Sequence, residues 1–200
     1  MALTREQVID TAFSILRDYG IADLSMRRLA RDLDVQPGAL YWHVKNKQDL
    51  LGVLAVMILA PVKPQDLDGA GAAAVIESLR LASRQIRDAL LAVRDGAEVV
   101  ALTHTLAPQS LPALQRFTET LAAAGLSGRN PTWTGRALVN YILGSVTQEQ
   151  TQSGLSQAGL LDSTARPVDD ADAFNFGLEL LLAGAAALLH KESTQQRDSG

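Results

Sequence analysis

The sequence predicts an all-α fold, on three observations. Apolar residues recur every three or four positions along most of the chain, no run alternates in the manner of a strand, and capping residues, Pro and Gly stand where helices would start and stop. Of the 200 residues, 47% are apolar and 20% charged, enough for a packed core and too apolar for a disordered chain.

The first helix opens at Thr4, whose hydroxyl can cap it while Gln7, three residues on, completes a capping box. Val8, Thr11, Ala12, Ile15, Leu16 and Tyr19 then share one face, and Gly20 suits the stop. Ser25 caps a short second helix with Leu29, Ala30 and Leu33 facing inward. A sharp turn is expected at Asp34, because Asp tolerates left-handed geometry. Gln36 then precedes Pro37, and proline suits a first helical position because its missing N–H would be unpaired there anyway. This third helix is brief. Asn46 caps a fourth, over 46–60, which carries Leu50, Leu51, Leu54 and Ile58 before Pro61 and Pro64 end it.

The breaker-rich stretch APVKPQDLDGAG marks a boundary between a domain at 1–60 and a larger one at 61–200. Beyond it, Val75, Leu79, Ala82, Ile86, Leu90 and Val93 predict a helix over 72–94. Gly96, Pro108 and Pro112 punctuate the next region, and further helices are expected near 110–124, 131–152 and 169–191. SGLSQAGLLDSTARPV, 153–168, reads as a loop.

Composition excludes several functions. There is no cysteine, hence no disulfide framework and no thiolate metal site. His43, His104 and His190 lie far apart without ligand spacing, so neither metal nor cofactor is expected. An enzyme would need a nucleophile, a base and an orienting group to converge. The chain has no paired His/carboxylate motif and no glycine-rich phosphate loop; His104 with Glu98 or Asp95 is its one faint candidate. MALTREQVID lacks the apolar run of a signal peptide, and GLELLLAGAAALL from Gly177 is short for a bilayer and contains Glu179. A soluble cytoplasmic protein without a membrane partner is expected.

The net charge of −4 hides an asymmetry. Residues 1–63 hold eight Lys/Arg against seven Asp/Glu, whereas 64–200 hold ten against fifteen. Within 24–48, Arg27, Arg28, Arg31, Lys45 and Lys47 outweigh Asp32 and Asp34. Local charge decides what a surface attracts over a Debye length, so a basic face is allowed.

That face coincides with VQPGALYWHVKNKQDL, 35–50. Two short helices joined by a tight turn and supported by a long first helix have the make-up of a helix-turn-helix. A recognition helix must be slim, and Pro37, Gly38 and Ala39 at its start let backbone approach base edges. Tyr41, His43 and Lys47 supply a phenol, an imidazole and an ammonium for phosphates, while Asn46 and Lys47 open the next helix with free N–H donors. Arg27, Arg28 and Gln36 are the side chains placed to read bases or backbone. Each has a bland alternative: Trp42 as packing between helices, His43 as a surface residue, the arginines as a solvated face. The conjunction of cap, turn, proline, small residues and then aromatic, His and Lys favours double-stranded DNA.

Residues 4–58 resemble the N-terminal domain of the tetracycline-repressor family, through TREQVIDTAFSILRDYG, LSMRRLARDLDV and VQPGALYWHVKNKQDLL. LYWHVKNK, RDGAEV (94–99) and FGLELLLAG (176–184) extend the likeness to the tetracycline repressors proper over most of the chain. The resemblance implies a homodimeric repressor with its two reading heads in successive major grooves of a palindromic operator, released by a small-molecule inducer. A dimer also suits composition, since the last helix is apolar nearly all round: Phe174, Leu178, Leu181, Ala185 and Leu188 on one side, Leu180, Gly184 and Ala187 on another. The family pairs this helix and the one near 131–152 with their symmetry mates.

By resemblance, the inducer pocket is walled by Lys63, Ile86, Val100, Thr103, His104, Thr105, Phe117 and Gln148. Where the antibiotic-binding repressors place a metal-coordinating histidine after RDGA, this chain has Val100, and Gln148 stands at a supporting acidic position with Glu149 next door. Ala82 and Ile86 match polar residues that grip the antibiotic. Valine offers no lone pair. A mostly apolar inducer rather than a magnesium–tetracycline chelate is therefore expected. The alternative is a constitutive or architectural DNA-binding dimer with no inducer.

Overall fold

The computed structural model describes residues 3–65, 67, 70–161 and 170–198. Among them it contains helices and turns but no strand. The helices are α1 (Arg5–Tyr19), α2 (Met26–Asp32), α3 (Pro37–Leu40), α4 (Lys47–Leu59), α5 (Ala72–Leu91), α6 (Gly96–Leu106), α7 (Pro112–Ala123), α8 (Asn130–Gln157) and α9 (Asp170–Asp198), with a 3-10 turn at Pro108–Ser110. They group into two compact units, Met1–Pro61 with Ala89–Leu111, and Val62–Asp88 with Pro112–Gly200.

In the first unit α1 begins as its sequence dictates. The Gln7 N–H donates to Thr4 Oγ1 at 3.2 Å and the Thr4 N–H to Gln7 Oε1 at 2.9 Å. Groups that a helix start leaves unpaired are thus satisfied. Ser25 Oγ accepts from the Arg28 N–H, and Asn46 Oδ1 accepts from the Asp49 N–H at 2.8 Å, capping α2 and α4. Val8, Ala12, Leu16, Leu29, Leu40, Val44, Leu50 and Leu54 are buried and form the core of this unit. Against them α4 packs on α1 and, over a wider contact, on α6.

Two details here differ from expectation. Tyr19 does not face the core: it is 52% exposed, and its ring lies 3.9 Å from the Arg28 guanidinium. Region 96–106 is a helix rather than a punctuated connection. Gly96 is its first residue, and a Cβ there would stand 2.5 Å from the Leu90 carbonyl oxygen, so glycine answers to close backbone approach instead of a break. The reversal between α5 and α6 is made by Asp95, at φ 55°.

The second unit is a helical stack in which α7 packs on α8 and α8 on α9. Phe117, Leu121, Leu138, Ile142, Val146, Leu178 and Leu182 fill its interior. Gly135 lets α8 approach α7, where a Cβ would meet the Thr118 backbone nitrogen at 3.0 Å. Polar links tie α5 to the others: Arg80 grips Glu179 at 2.6 and 2.9 Å, and Arg87 grips Glu149 at 2.8 Å.

In this unit α8 runs on through Gln157, so 153–157 is helix and not loop; 158–161 turn, and 162–168 lie outside the described residues. Along α9 the buried side steps Phe174, Leu178, Leu182, Ala185, Leu189, one residue on from the expected Leu181 and Leu188, which are half-buried. The other expected face, Leu180, Gly184 and Ala187, is exposed together with Phe176. Over Asp170–Gln195 this helix is long and apolar enough to cross a bilayer by length and composition, contrary to the short run expected. Its Glu179 is nonetheless held by Arg80.

Candidate functional site

The helix-turn-helix is assembled by local chemistry. After α2, Asp34 takes φ 53°, the left-handed turn anticipated for it, and the Val35 N–H donates to the Ala30 carbonyl at 2.9 Å. Pro37 starts α3, and Leu40 and Val44, at 0% and 1% exposure, anchor that segment to the core. The residues between and around these two anchors are exposed or half-buried. Gln36, Pro37 and Gly38 are exposed, Ala39 and His43 half-buried, Tyr41 54% exposed and Trp42 89% exposed.

Trp42 is therefore left almost wholly uncovered by the described residues. Its exposure counts against the packing alternative weighed for it and adds an aromatic beside Tyr41 to the outward face, one that sequence reasoning left out of the site. The signal was available: Trp42 lies between the anchors Leu40 and Val44, on neither of their inward positions. Lys45, also exposed, was passed over in the same way.

The cations divide into committed and open ones. Arg28 is committed: its guanidinium pairs with Asp23 at 2.5 Å and Asp32 at 3.6 Å under the Tyr19 ring, with 17% of the side chain exposed. Arg27 is exposed and makes no ion pair among the described residues. Lys47 donates from Nζ to the Ile21 carbonyl at 3.3 Å, which leaves further ammonium donors open. The neighbouring Ile21 N–H donates to Asp95 Oδ2 at 2.9 Å. The α1–α2 connection is thus held from one side by the start of α4 and from the other by the residue that opens α6.

The pocket residues are divided between the two units. Val100 is fully buried, and Thr103 is buried with its hydroxyl donating to the Val99 carbonyl. His104 is half-buried, and Thr105 is exposed and donates to the Ala101 carbonyl. All four belong to α6 in the first unit. Lys63, Ile86, Phe117 and Gln148 belong to the second, where Lys63 and Phe117 line a cavity of ≈ 40 Å³. Ile86 is buried and Gln148 exposed, and neither lines that cavity. Its other walls include Ser78, Ala82, Gln85, Arg116 and Thr120. The three-to-four-residue spacing of 78, 82 and 85 on α5, and of 113, 116, 117 and 120 on α7, is the sequence signal for them.

Residues 8–54 match the family model for bacterial regulatory proteins of the tetR family, and residues 69–167 match the tetracyclin repressor-like C-terminal domain. The class D tetracycline repressor of Escherichia coli is 36% identical over 205 residues, covering 91% of this chain and 88% of its own. The chain belongs to the TetR family. As a TetR-family protein it is a DNA-binding transcriptional regulator and not an enzyme. Two solved structures of TetR-fold relatives bear on its two units. BioQ with its natural double-stranded DNA operator is 39% identical, with TM-score 0.71 over 92% of this chain and 99% of that one. A TetR variant from Acinetobacter baumannii in complex with minocycline is 32% identical, with TM-score 0.72 over 93% and 98%.

Proposed function

We propose that this repressor binds a palindromic operator as a homodimer and is released from it by a small, mostly apolar inducer. The observation that carries the DNA half is the outward segment 36–43, fixed from behind by Leu40 and Val44 and left unpacked in front. Gly38 and Ala39 let its backbone approach base edges, and Gln36 and Arg27 are free to read them. Pro37 sets the start of the helix, while Tyr41, His43 and Lys47 serve phosphates. Arg28, tied to Asp23 and Asp32, is the contact residue whose role is most local: it sets the angle of α2. Residues 1–60 form the DNA-binding domain and 61–200 the ligand-binding and dimerisation domain.

Homodimerisation uses α8 and α9, and is supported by the exposed Phe176, Leu180, Gly184 and Ala187. That face also explains an apolar helix in a cytoplasmic protein with no membrane partner: its solvent side meets a second copy. The residues assigned to the inducer are Lys63, Ile86, Phe117 and Gln148 within the second unit and Val100, Thr103, His104 and Thr105 on α6 within the first. A buried Val100 and an exposed Gln148 supply no ligand set for a magnesium chelate. Release follows from α6, which packs on α4 and whose leading Asp95 holds Ile21. A ligand shifts this arrangement only by its difference in affinity for the two states.

One observation favours the alternative of a DNA-binding dimer with no inducer: the cavity lined by Lys63 and Phe117, at ≈ 40 Å³, is small beside ligand sites of about 300–1,000 Å³. The DNA assignment is tested by anisotropy on a panel of inverted repeats. Lys47→Ala is expected to weaken all sequences alike and Gln36→Ala to alter base preference at one position. If Lys47→Ala left affinity untouched, the phosphate role would be wrong.

A further inference from the structure

We propose that the inducer is an amphipathic anion, a carboxylate carrying an aliphatic or aryl tail, with its charged head between Lys63 and Arg116. This rests on the ligand-gated reading above and names the chemistry of that site. The small cavity of the second unit is lined by two cations, Lys63 and Arg116, by the Gln85 amide and by the hydroxyls of Ser78 and Thr120. Among the described residues no acidic side chain lines it. Neither Lys63 nor Arg116 makes an ion pair among the described residues, whereas Arg28, Arg80 and Arg87 are each matched to carboxylates. Two cations without a carboxylate partner among the described residues line this one cavity, and an anion placed between them relieves their mutual repulsion and accepts charge-assisted hydrogen bonds. Arginine presents its donors as a planar fork that suits a carboxylate.

The cavity also has a continuation of different chemistry. A groove of ≈ 500 Å³ shares Pro64, Gln65, Arg116 and Thr120 with it and adds the apolar Leu67, Ala70, Val75, Ala123 and Ala124. Its volume falls within the range of small-molecule sites, about 300–1,000 Å³. Charge at the closed end and apolar surface along the groove define a ligand with a compact anionic head and an apolar tail. Glu119 lines the groove but is not among the described residues lining the cavity, and it disfavours a second anionic group along the groove.

The test uses the full chain with acetate, hexanoate, octanoate and decanoate, and with hexanol and octanol as neutral analogues. Binding is read by calorimetry without DNA, and release by anisotropy on a bound inverted repeat. The longer carboxylates are expected to bind and the alcohols not. Arg116→Gln and the exposed Lys63→Gln are each expected to weaken carboxylate binding about tenfold, the usual size for a lost hydrogen bond to a charged group. Arg116→Lys recovers part of that loss, and unliganded melting temperatures that match the wild type exclude misfolding. Alcohols binding as well as carboxylates, both Gln variants binding carboxylate as the wild type does, or no carboxylate binding at all would each overturn the proposal. Carboxylate binding without release of DNA would leave the anion site standing and remove ligand gating; release by neutral compounds would do the reverse.

Discussion

Gly20 and Asp95 sit far apart in sequence and act as one contact. Gly20 takes φ 87° and ψ 178°, a region nearly closed to other residues, and a Cβ there would run into the Asp95 carboxylate. That carboxylate accepts the Ile21 N–H while Asp95 itself holds a left-handed backbone. Gly20→Ala is expected to cost about 1–3 kcal/mol through backbone strain. Asp95→Ala is expected to cost about 1–3 kcal/mol by leaving the Ile21 N–H unpaired. Because the two share one space, the double variant loses less than both together, a coupling that urea denaturation of the four proteins measures. Simple additivity would mean that the contact is not what holds the connection. Half of this pair was legible: Gly20 announces itself as a helix stop, but nothing near Asp95 in sequence names its partner, which lies 74 residues away.

Helix ends were legible where the signal is local. The Thr4/Gln7 box, the Ser25 and Asn46 caps, and the Asp34 turn all follow from one or two neighbouring side chains. Helix α6 was not, because glycine at a helix start for close packing looks the same as glycine at a break. The continuation of α8 to Gln157 was hidden by its Gly and Ser content, yet one glycine costs only about 1 kcal/mol in a helix and the neighbouring Gln and Leu favour it. The seam between α5 and α9 gives a pH prediction at this scale. Bonding to Arg80 holds the Glu179 carboxyl below its ordinary value of 4.5, with Arg84 nearby adding to the effect. A lowered pKa in the folded state means the stabilisation is whole above the ordinary value and is lost as pH falls through the folded one. Melting temperature is expected to drop more steeply below pH 4.5 in the wild type than in Glu179→Gln. Glu179 is half exposed, so solvent screening keeps the difference small; equal slopes would remove the pairing from the account.

At the scale of the molecule, the apolar face of α9 decides whether one chain suffices. Leu180 is 62% exposed and Leu182 fully buried on the same helix. Leu180→Glu is expected to leave each chain folded and abolish dimerisation, read by sedimentation, whereas Leu182→Glu unfolds it. A dimeric Leu180→Glu protein would move the interface elsewhere. The fold class, the reading segment and the apolar last helix could all be seen in the sequence, since each rests on periodicity or a short motif. The meeting of Lys63, Gln85 and Arg116 around one cavity could not, because the three come from separate stretches of the chain and helical spacing shows only which face of α5 or α7 each shares. The central claim is that two such chains hold adjacent turns of one duplex through the outward-facing segment 36–43 and the cations Arg27 and Lys47 beside it. Measuring mass and affinity together on a single inverted repeat across a salt series tests it most directly. The account predicts two chains per repeat and an affinity whose logarithm falls linearly with the logarithm of salt concentration, because bound counterions are displaced; one chain per repeat, or binding indifferent to salt, would contradict it.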